Sequence, residues 1–173
     1  MDGKPKKILH VAPELCFMHM LENKYRENYI TADVSNPRAK VKMDITDIDY
    51  NDESFDVIYC SHVLEHIQND RKAMRELHRV LKPNGWAVLN VPITAEKTFE
   101  DPSVVDPEER LKKFGQKDHV RRYGPDYIDR LLEAGFEVEA YNVKDLFQSE
   151  EIALMGLKTR VTDKIFYCIK NKI

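Results

Sequence analysis

The sequence predicts an α/β fold in which helices cover both faces of a mostly parallel sheet. Short apolar runs alternate with segments of helical periodicity along the chain, which is the pattern of parallel strands joined by helices. Hydrophobic residues make up 42% of the chain, which is enough to build a buried core. The length of 173 residues fits one domain. We therefore expect residues 1–173 to form a single domain.

The first half of the chain contains four predicted strands and one helix. The first strand covers residues 6–12, an apolar run that ends just before Pro13. Proline is favoured at the first position of a helix, and Leu15, Met18 and Leu21 follow at helical spacing. The second, third and fourth strands are predicted at residues 28–34, 40–45 and 55–60.

The second half continues the alternation of helices and strands. A helix is predicted over residues 70–81, because its apolar residues share one face. Residues 83–85 (Pro-Asn-Gly) predict a turn before a fifth strand at 86–91. The remaining predicted elements are a helix at 125–134, strands at 136–143 and 164–169, and a short helix around 150–157.

A long connection, residues 93–124, follows the fifth strand. It contains two prolines, two glycines and only a short helical patch at residues 108–114. Connections of this length within a small domain are usually lids or binding loops. We expect a lid or substrate loop here; the alternative is a surface insertion without function.

Composition excludes several classes of protein. The net charge of −3, from 27 basic and 30 acidic residues, argues against nucleic acid as the main partner. Cys16, Cys60 and Cys168 form no C-x-x-C pair, so no disulfide framework or zinc ribbon is predicted, and we expect a reducing, cytoplasmic location. No apolar run approaches the 18 residues of a membrane span. We therefore expect no membrane association.

Three segments, taken in order, resemble one protein family. They are residues 52–66 (with Ser-Phe-Asp-Val-Ile and His-Val-Leu-Glu-His), 76–86 (Glu-Leu-His-Arg-Val-Leu-Lys-Pro-Asn-Gly-Trp) and 131–138 (Leu-Leu-Glu-Ala-Gly-Phe-Glu-Val). The set resembles the class I S-adenosylmethionine-dependent methyltransferases, in particular their type 11 methyltransferase domain. The resemblance implies a Rossmann-like, seven-stranded sheet with an antiparallel last strand. It also implies S-adenosylmethionine as cofactor and methyl transfer to an oxygen, nitrogen or carbon atom.

The loop after the first strand departs from the family pattern. Members usually have D-x-G-x-G-x-G there, whereas this chain has residues 10–16, His-Val-Ala-Pro-Glu-Leu-Cys. Glycine allows a ligand to approach the backbone closely, and Ala12 keeps much of that access. By position, the resemblance assigns His10, Ala12, Pro13 and Glu14 to cofactor binding. Glu14 either faces the methionyl ammonium group or favours the helix N-terminus and points to solvent.

Other positions match the family more directly. The resemblance assigns Asp33 to the ribose hydroxyls, since a carboxylate accepts hydrogen bonds from a diol; the alternative is a turn-forming aspartate. Asp44 and Ile45 correspond to the residues beside the adenine. Ser61 and His62 lie at the end of the fourth strand, the edge at which open α/β sheets bind ligands, and the resemblance assigns both to cofactor binding.

Two metal-like motifs are assigned to the fold instead. Residues 62–66 fit H-x-x-E-H, the inverted zinc-protease motif, but they follow directly on a strand and form part of the methyltransferase block. Residues 47–51 resemble the start of a calcium loop, but Asp52 replaces its glycine and Ile58 its final glutamate. We therefore expect no metal site.

The end of the long connection concentrates polar side chains. His119 is a candidate general base, because histidine titrates near neutrality. Arg121 is a candidate partner for an anionic substrate group, and Tyr123, close to it in the sequence, is a further candidate substrate-binding residue. The alternative is a basic surface loop in which His119 caps backbone carbonyls. If the methyl acceptor must lose a proton, His62 or His119 is the expected base.

Together these observations predict a methyltransferase that uses S-adenosylmethionine and acts on a small, anionic molecule that the sequence does not identify. The alternative is a catalytically inactive methyltransferase fold used for binding or regulation. The loop at residues 10–16, which lacks glycine, motivates this alternative. So does the short segment before the first strand, where many family members have a helix that covers the cofactor. The sequence does not predict the oligomeric state.

Overall fold

A computed structural model describes residues 6–154 and 164–172 of the chain. The sheet elements in the described residues are the strands β1 (Ile8–Val11), β2 (Tyr29–Asp33), β3 (Val41–Lys42), β4 (Phe55–Ser61), β5 (Leu81–Asn90), β6 (Phe99–Glu100), β7 (Arg121–Arg122), β8 (Glu137–Asn142) and β9 (Lys164–Ile169). The helices are α1 (Leu15–Tyr25), α2 (Asp70–Val80), α3 (Pro107–Phe114), α4 (Tyr127–Glu133), α5 (Val143–Leu146) and α6 (Ser149–Leu154). Short 3-10 helices cover Arg26–Asn28 and Leu64–His66.

Seven strands form one sheet in the order β3-β2-β1-β4-β5-β9-β8. The strands from β3 to β5 pair in parallel. The strand β9 is antiparallel to both of its neighbours, β5 and β8. This confirms the predicted mostly parallel sheet with an antiparallel last strand. The parallel pairing brings the carboxyl ends of β1, β2 and β4 to the same edge, where ligands bind in sheets of this kind.

Helices cover both faces of the sheet, but unequally. The helix α2 buries Ala73, Met74, Leu77 and Val80, which recur at helical spacing and pack into the main core. The helix α1 buries none of its residues. Its side of the sheet holds a smaller cluster centred on Tyr29, with Leu21 and Tyr25 of the α1 region only partly buried. None of the described helices is long and apolar enough to cross a membrane.

Most predicted boundaries agree with the structure to within a few residues, with two corrections. The third strand is shorter than predicted, because only Ala32 and Asp33 of β2 pair with it. The predicted turn at 83–85 lies inside β5, which already pairs with Phe55 at Leu81. A register shift between Phe55 and Val57 accommodates the extra residues, as in a β-bulge. The predicted helix at 150–157 begins as α6, and its last three residues lie outside the described part.

The connection 93–124 is tied to the rest of the fold by a buried ionic network. It contains α3 and a two-stranded ribbon formed by β6 and β7. Asp70, at the start of α2, accepts hydrogen bonds from Arg130 Nη1 at 2.8 Å and from the Tyr123 hydroxyl at 2.6 Å. Glu100 of the ribbon pairs with Arg130 and with Arg121. The network therefore joins the ribbon to α2 and α4.

The Asp70 carboxylate is expected to be the most sensitive member of this network. Asp70→Asn removes the charge that faces two buried guanidinium groups, and the loss of one partner in a buried ion pair costs about 3 kcal/mol. Asp52→Asn is the matched control, because Asp52 pairs with Arg79 at the exposed surface and such pairs contribute about 1 kcal/mol or less. Urea unfolding measures both changes. Equal losses of unfolding free energy would contradict the structural role of Asp70.

Candidate functional site

The first part of the site is a cavity of about 490 Å³ at the carboxyl ends of β1, β2 and β4. We call it the Asp33 cavity. It is lined by Val11, Ala12, Asp33, Val34, Ser35, Met43, Ile45, His62, Val63, His66, Ile67 and Asp118. It contains four residues that the sequence analysis assigned to the cofactor: Ala12, Asp33, Ile45 and His62.

Ala12 adopts the backbone conformation that favours glycine. Its φ is 49°, in the left-handed region that residues with a Cβ occupy at a cost of about 1 kcal/mol or more. Its amide donates a hydrogen bond to the Ala32 carbonyl at 2.8 Å. The chain thus makes a left-handed turn at the first glycine position of the family motif, with the smallest side chain other than glycine.

The neighbouring residues of this loop contact each other instead of lining the Asp33 cavity. His10 is buried and hydrogen-bonds the Tyr29 hydroxyl at 2.6 Å and Glu14 Oε2 at 2.7 Å. Burial raises the pKa of Glu14, but the contacts with His10 outweigh this effect, and the net shift is downward. Pro13, which lies between them in the sequence, is also buried. Neither alternative for Glu14 had included a pair with His10.

Asp33 forms the turn that was one of its two predicted alternatives, and it also lines the Asp33 cavity. Its Oδ1 accepts hydrogen bonds from the amides of Ser35 and Asn36 at 2.7 and 2.8 Å, which form the turn after β2. Partial burial raises the pKa of Asp33, but these hydrogen bonds lower it further than burial raises it. Every hydrogen bond described for this carboxylate goes to Oδ1. Oδ2 accepts none of the hydrogen bonds described for this side chain.

Two of the predicted residues lie beside the Asp33 cavity and not in its wall. Asp44 Oδ1 accepts hydrogen bonds from the amide and hydroxyl of Thr46, both at 2.8 Å. Its side chain lines a smaller neighbouring recess together with Asp47 and Asp49. Ser61 hydrogen-bonds Tyr59. Of the two residues predicted beside the adenine, only Ile45 lies in the wall of the Asp33 cavity, where it is buried.

A second cavity, of about 500 Å³, adjoins the first. We call it the His119 cavity. It is lined by His62, Glu65, His66, Pro92, Thr94, Phe114, Gly115, Gln116, His119, Arg121 and Arg122. His62 and His66 line both cavities, so the two spaces meet at these side chains.

His62 lies at the junction of the cavities in a strained conformation. Its φ is 56°, and its amide donates to the Asn90 carbonyl at 2.9 Å. Its Nδ1 lies 3.4 Å from Glu65 Oε1. The hydrogen bond with Glu65 raises the pKa of His62 above its usual value, although burial opposes the shift. Strained residues of this kind concentrate at functional sites.

Glu65 is the most unusual polar group in the cavity wall. The residue is only 1% exposed, and its Oε2 is buried without a hydrogen-bond partner among the described residues. Buried polar atoms almost always have a partner, and the loss of one costs about 1–3 kcal/mol. The site therefore holds a carboxylate oxygen whose position is not explained by folding.

His119 and His66 lie edge to face, with ring centroids 4.6 Å apart. His66 Nδ1 lies 3.2 Å from Asp118 Oδ2. Burial, together with the nearby His66, lowers the pKa of His119. His119 is therefore mostly neutral at physiological pH, with a nitrogen lone pair available.

Arg121 lines the His119 cavity, whereas Tyr123 does not. Arg121 is buried and donates to Glu100 and to the carbonyls of Leu64, Ile67 and Gln68. Tyr123 is fully buried and donates from its hydroxyl to Asp70. Arg122 also lines the cavity and donates to Thr94.

Sequence reasoning did not single out three residues of the site: Glu65, His66 and Arg122. The signal for the first two was the H-x-x-E-H pattern at residues 62–66. The sequence analysis explains this pattern by the methyltransferase family block alone. The structure brings both residues to His119, which lies more than 50 positions later in the chain.

Comparisons with known proteins agree with this geometry. Residues 15–89 match the family model of the type 11 methyltransferase domain. Residues 15–89 are therefore similar to the type 11 methyltransferase domain, and the chain has the class I methyltransferase fold. Among solved structures, an S-adenosylmethionine-dependent methyltransferase from Mesorhizobium loti superposes with a TM-score of 0.65 at 13% identity, over 98% of this chain and 93% of that one.

Two further similarities concern one solved structure and one curated relative. The 1,6-didemethyltoxoflavin-N1-methyltransferase of Burkholderia thailandensis, solved with its acceptor and S-adenosylhomocysteine, also gives a TM-score of 0.65 at 13% identity, over 98% of this chain and 73% of that one. The uncharacterized methyltransferase YcgJ of Bacillus subtilis is 35% identical over 72 residues, or 42% of this chain. The matched segment spans only 27% of YcgJ, and the segment matched in a second curated relative, the demethylmenaquinone methyltransferase of Clavibacter sepedonicus, spans 20% of that protein.

The unpartnered carboxylate predicts a gain in stability when it is removed. Glu65→Met keeps a side chain of similar length and removes the orphaned oxygen, so the free energy of unfolding should rise by about 1–3 kcal/mol. Glu96→Met is the control, since Glu96 is exposed and surface changes usually stay within about 0.5 kcal/mol. Thermal and urea unfolding of protein dialysed against EDTA, so that no bound metal ion contributes, measure the stability of both variants. A loss of stability in Glu65→Met would mean that the carboxylate has a structural role.

Proposed function

We propose that this chain transfers the methyl group of S-adenosylmethionine to a small molecule bound in the His119 cavity. The observation that carries the proposal is the pair of adjoining cavities that share His62 and His66. A transfer reaction needs two reactants held in contact, and such positioning lowers the barrier by several kcal/mol, up to about 10. The Asp33 cavity is the cofactor side, and the His119 cavity is the acceptor side.

The residues of the Asp33 cavity fit the cofactor. The left-handed turn at Ala12 leaves only a methyl group at the position where a glycine would allow close approach. Asp33 Oδ2 accepts a hydrogen bond from a ribose hydroxyl, while Oδ1 keeps the hydrogen bonds from the amides of the turn. Ile45 covers an adenine face from the buried wall. When bound, S-adenosylmethionine supplies an electrophilic methyl carbon, whose bond to sulfur breaks as the acceptor attacks.

The His119 cavity favours an anionic acceptor. Arg122, His66 and His119 lie in its wall, and guanidinium groups bind carboxylates and phosphates with paired hydrogen bonds. Arg121 is committed to Glu100 and to three backbone carbonyls, so Arg122 is the guanidinium that a substrate reaches. The connection 93–124 supplies most of this wall, and we propose that it acts as the substrate loop of a single domain.

His62 is the proposed proton acceptor of the reaction. His62 lines both cavities and is held by the buried carboxylate of Glu65, whereas the carboxylate beside His66, that of Asp118, is exposed. A base oriented by a second group is the usual arrangement for proton transfer. The acceptor atom gives its proton to His62 as it forms the bond to the methyl carbon.

A second candidate function is a methyltransferase fold that binds a ligand or partner without catalysis. The pair formed by His10 and Glu14 favours this alternative, because it occupies the loop that contacts the cofactor in other members of the family. The two candidates differ in one measurable property, since only the enzyme requires S-adenosylmethionine. Both proposals keep a reducing, cytoplasmic location, in line with three free cysteines.

Calorimetric titration with S-adenosylmethionine and S-adenosylhomocysteine tests the cofactor side. The wild type should bind both, and Asp33→Asn should weaken binding about 10-fold or more, because a hydrogen bond to a charged acceptor contributes about 1.5–3 kcal/mol. Asparagine keeps the Oδ1 acceptor of the turn, so the fold is preserved. Asp49→Asn removes an equal charge from the neighbouring recess and should bind like the wild type.

Failure of the wild type to bind either compound at millimolar concentration would favour the non-catalytic alternative. Equal affinities of Asp33→Asn and wild type would remove Asp33 from the cofactor site while leaving the proposal itself standing.

The proton acceptor is tested with His62→Asn. Asparagine tolerates the left-handed φ of this position but cannot take the proton, so kcat should fall about 100-fold or more. Release of S-adenosylhomocysteine is followed with a panel of carboxylates, phosphate monoesters and phenols as acceptors. His19→Asn, at an exposed site on α1, is the control. An unchanged kcat in His62→Asn would exclude His62 as the base.

A further inference from the structure

The His119 cavity contains three side chains whose ligand atoms converge. Glu65, His66 and His119 each offer one nitrogen or oxygen atom, and these atoms lie within 4.8 Å of one another. Glu65 and His119 are buried, and His66 is partly buried. We propose that these three residues bind a divalent transition-metal ion at the wall of the acceptor cavity.

The types of residue fit this ion. Two histidines and one carboxylate, with open positions left for other ligands, form the ligand set of catalytic zinc sites and of non-haem iron sites. Ligand atoms at about 2.0–2.2 Å from an ion lie roughly 3.4 Å from each other in a tetrahedral site. The ligand atoms of these three side chains, which lie within 4.8 Å of one another, therefore come closer by side-chain rotation when they bind an ion.

The orphaned oxygen of Glu65 is the second, independent observation. Glu65 Oε1 contacts His62, whereas Oε2 is buried without a partner. A buried carboxylate oxygen without a donor is costly, and a metal ion supplies the missing positive partner. The ion thus accounts for a buried glutamate of which the described side chains contact only one carboxylate oxygen.

Both histidines have the outer contacts that metal ligands usually have. His66 Nδ1 contacts Asp118 Oδ2 at 3.2 Å, which leaves Nε2 as the ligand atom. His119 hydrogen-bonds the backbone of Phe114 with its ring. A histidine ligand usually donates its second N–H to a carboxylate or a backbone carbonyl, and this contact fixes the orientation of the ring.

The backbone fixes the relative positions of the two ligand-bearing segments. The Val120 amide donates to the Glu65 carbonyl at 2.9 Å. Arg121 donates to the carbonyls of Leu64 and Ile67, on either side of the first two ligands. The buried guanidinium therefore holds residues 64–67 against the segment that carries His119. A site preorganised in this way loses little entropy when it binds an ion.

Three protein ligands leave coordination positions open to the cavity. We assign them to an oxygen of the methyl acceptor, which narrows its class to compounds that carry a carboxylate, phosphate or phenolate oxygen. This assignment rests on the proposed methyl transfer. The binding of the ion does not, because it depends only on the three side chains.

The test measures metal binding in the absence of cofactor and acceptor. All proteins carry Cys16→Ser, because the exposed thiol of Cys16 would itself bind soft metals. After dialysis against EDTA, Zn²⁺ is titrated by calorimetry, and Co²⁺ is titrated by visible absorption. We expect one ion per chain, with cobalt bands typical of nitrogen and oxygen ligands.

Variants assign the ligands. Glu65→Gln and His119→Ala should each weaken Zn²⁺ binding more strongly than Asp118→Asn, for which the loss of an outer contact predicts about 10- to 100-fold. His19→Ala, at an exposed histidine of α1, should bind like the parent. Glu65→Gln keeps the shape of the side chain and one of its acceptor oxygens, so the circular dichroism spectrum should match that of the parent.

Absence of stoichiometric Zn²⁺ binding by the parent, or equal affinities in Glu65→Gln and the parent, would overturn the metal site. Either result would leave methyl transfer untouched, because cofactor binding is measured separately. Conversely, a chain that binds Zn²⁺ at these residues but does not bind S-adenosylmethionine would retain the metal site and lose the proposed function. The two failures are therefore distinguishable.

Discussion

The buried carboxylate of Asp70 is the constraint on which the His119 cavity depends. It lies at the start of α2 and pairs with Arg130 and Tyr123, while Glu100 brings in Arg121. A buried charge is tolerated only when it is paired and hydrogen-bonded. The ribbon of β6 and β7 therefore has to lie over the start of α2, because only there are its charges compensated. The position of the His119 cavity follows from this requirement.

The two halves of the site are built by different physical means. The Asp33 cavity is formed mainly by strand ends, so main-chain hydrogen bonds set its geometry. The His119 cavity is formed mainly by a connection, and side-chain ion pairs and hydrogen bonds to carbonyls hold it in place. His62 belongs to both halves, and its left-handed backbone is the point at which β4 turns from one cavity to the other.

The sequence predicted the elements that depend on local patterns. The apolar strands, the face of α2 and the order of the family blocks led to the correct sheet. Contacts between distant residues could not be read in this way: the pair of Asp70 and Arg130 spans 60 positions, and that of Arg121 and Leu64 spans 57. His10 and Glu14 were close in sequence, but nothing local indicated that they face each other. Ala12, Asp33, Ile45 and His62 could be placed by position along a strand or at its end, and all four line the Asp33 cavity.

The division of the site has a consequence for how such a protein diverges. Most of the wall of the His119 cavity comes from one continuous stretch, residues 92–122, whereas Asp118 is the only residue of that stretch in the wall of the Asp33 cavity. Substitutions between the clamped ends of this stretch alter what is recognised and leave the strand ends unchanged. The shape of the His119 cavity can therefore change within one segment of the chain. Change at Asp70, Glu100, Arg121 or Arg130 instead disturbs the ion pairs that hold this segment in place.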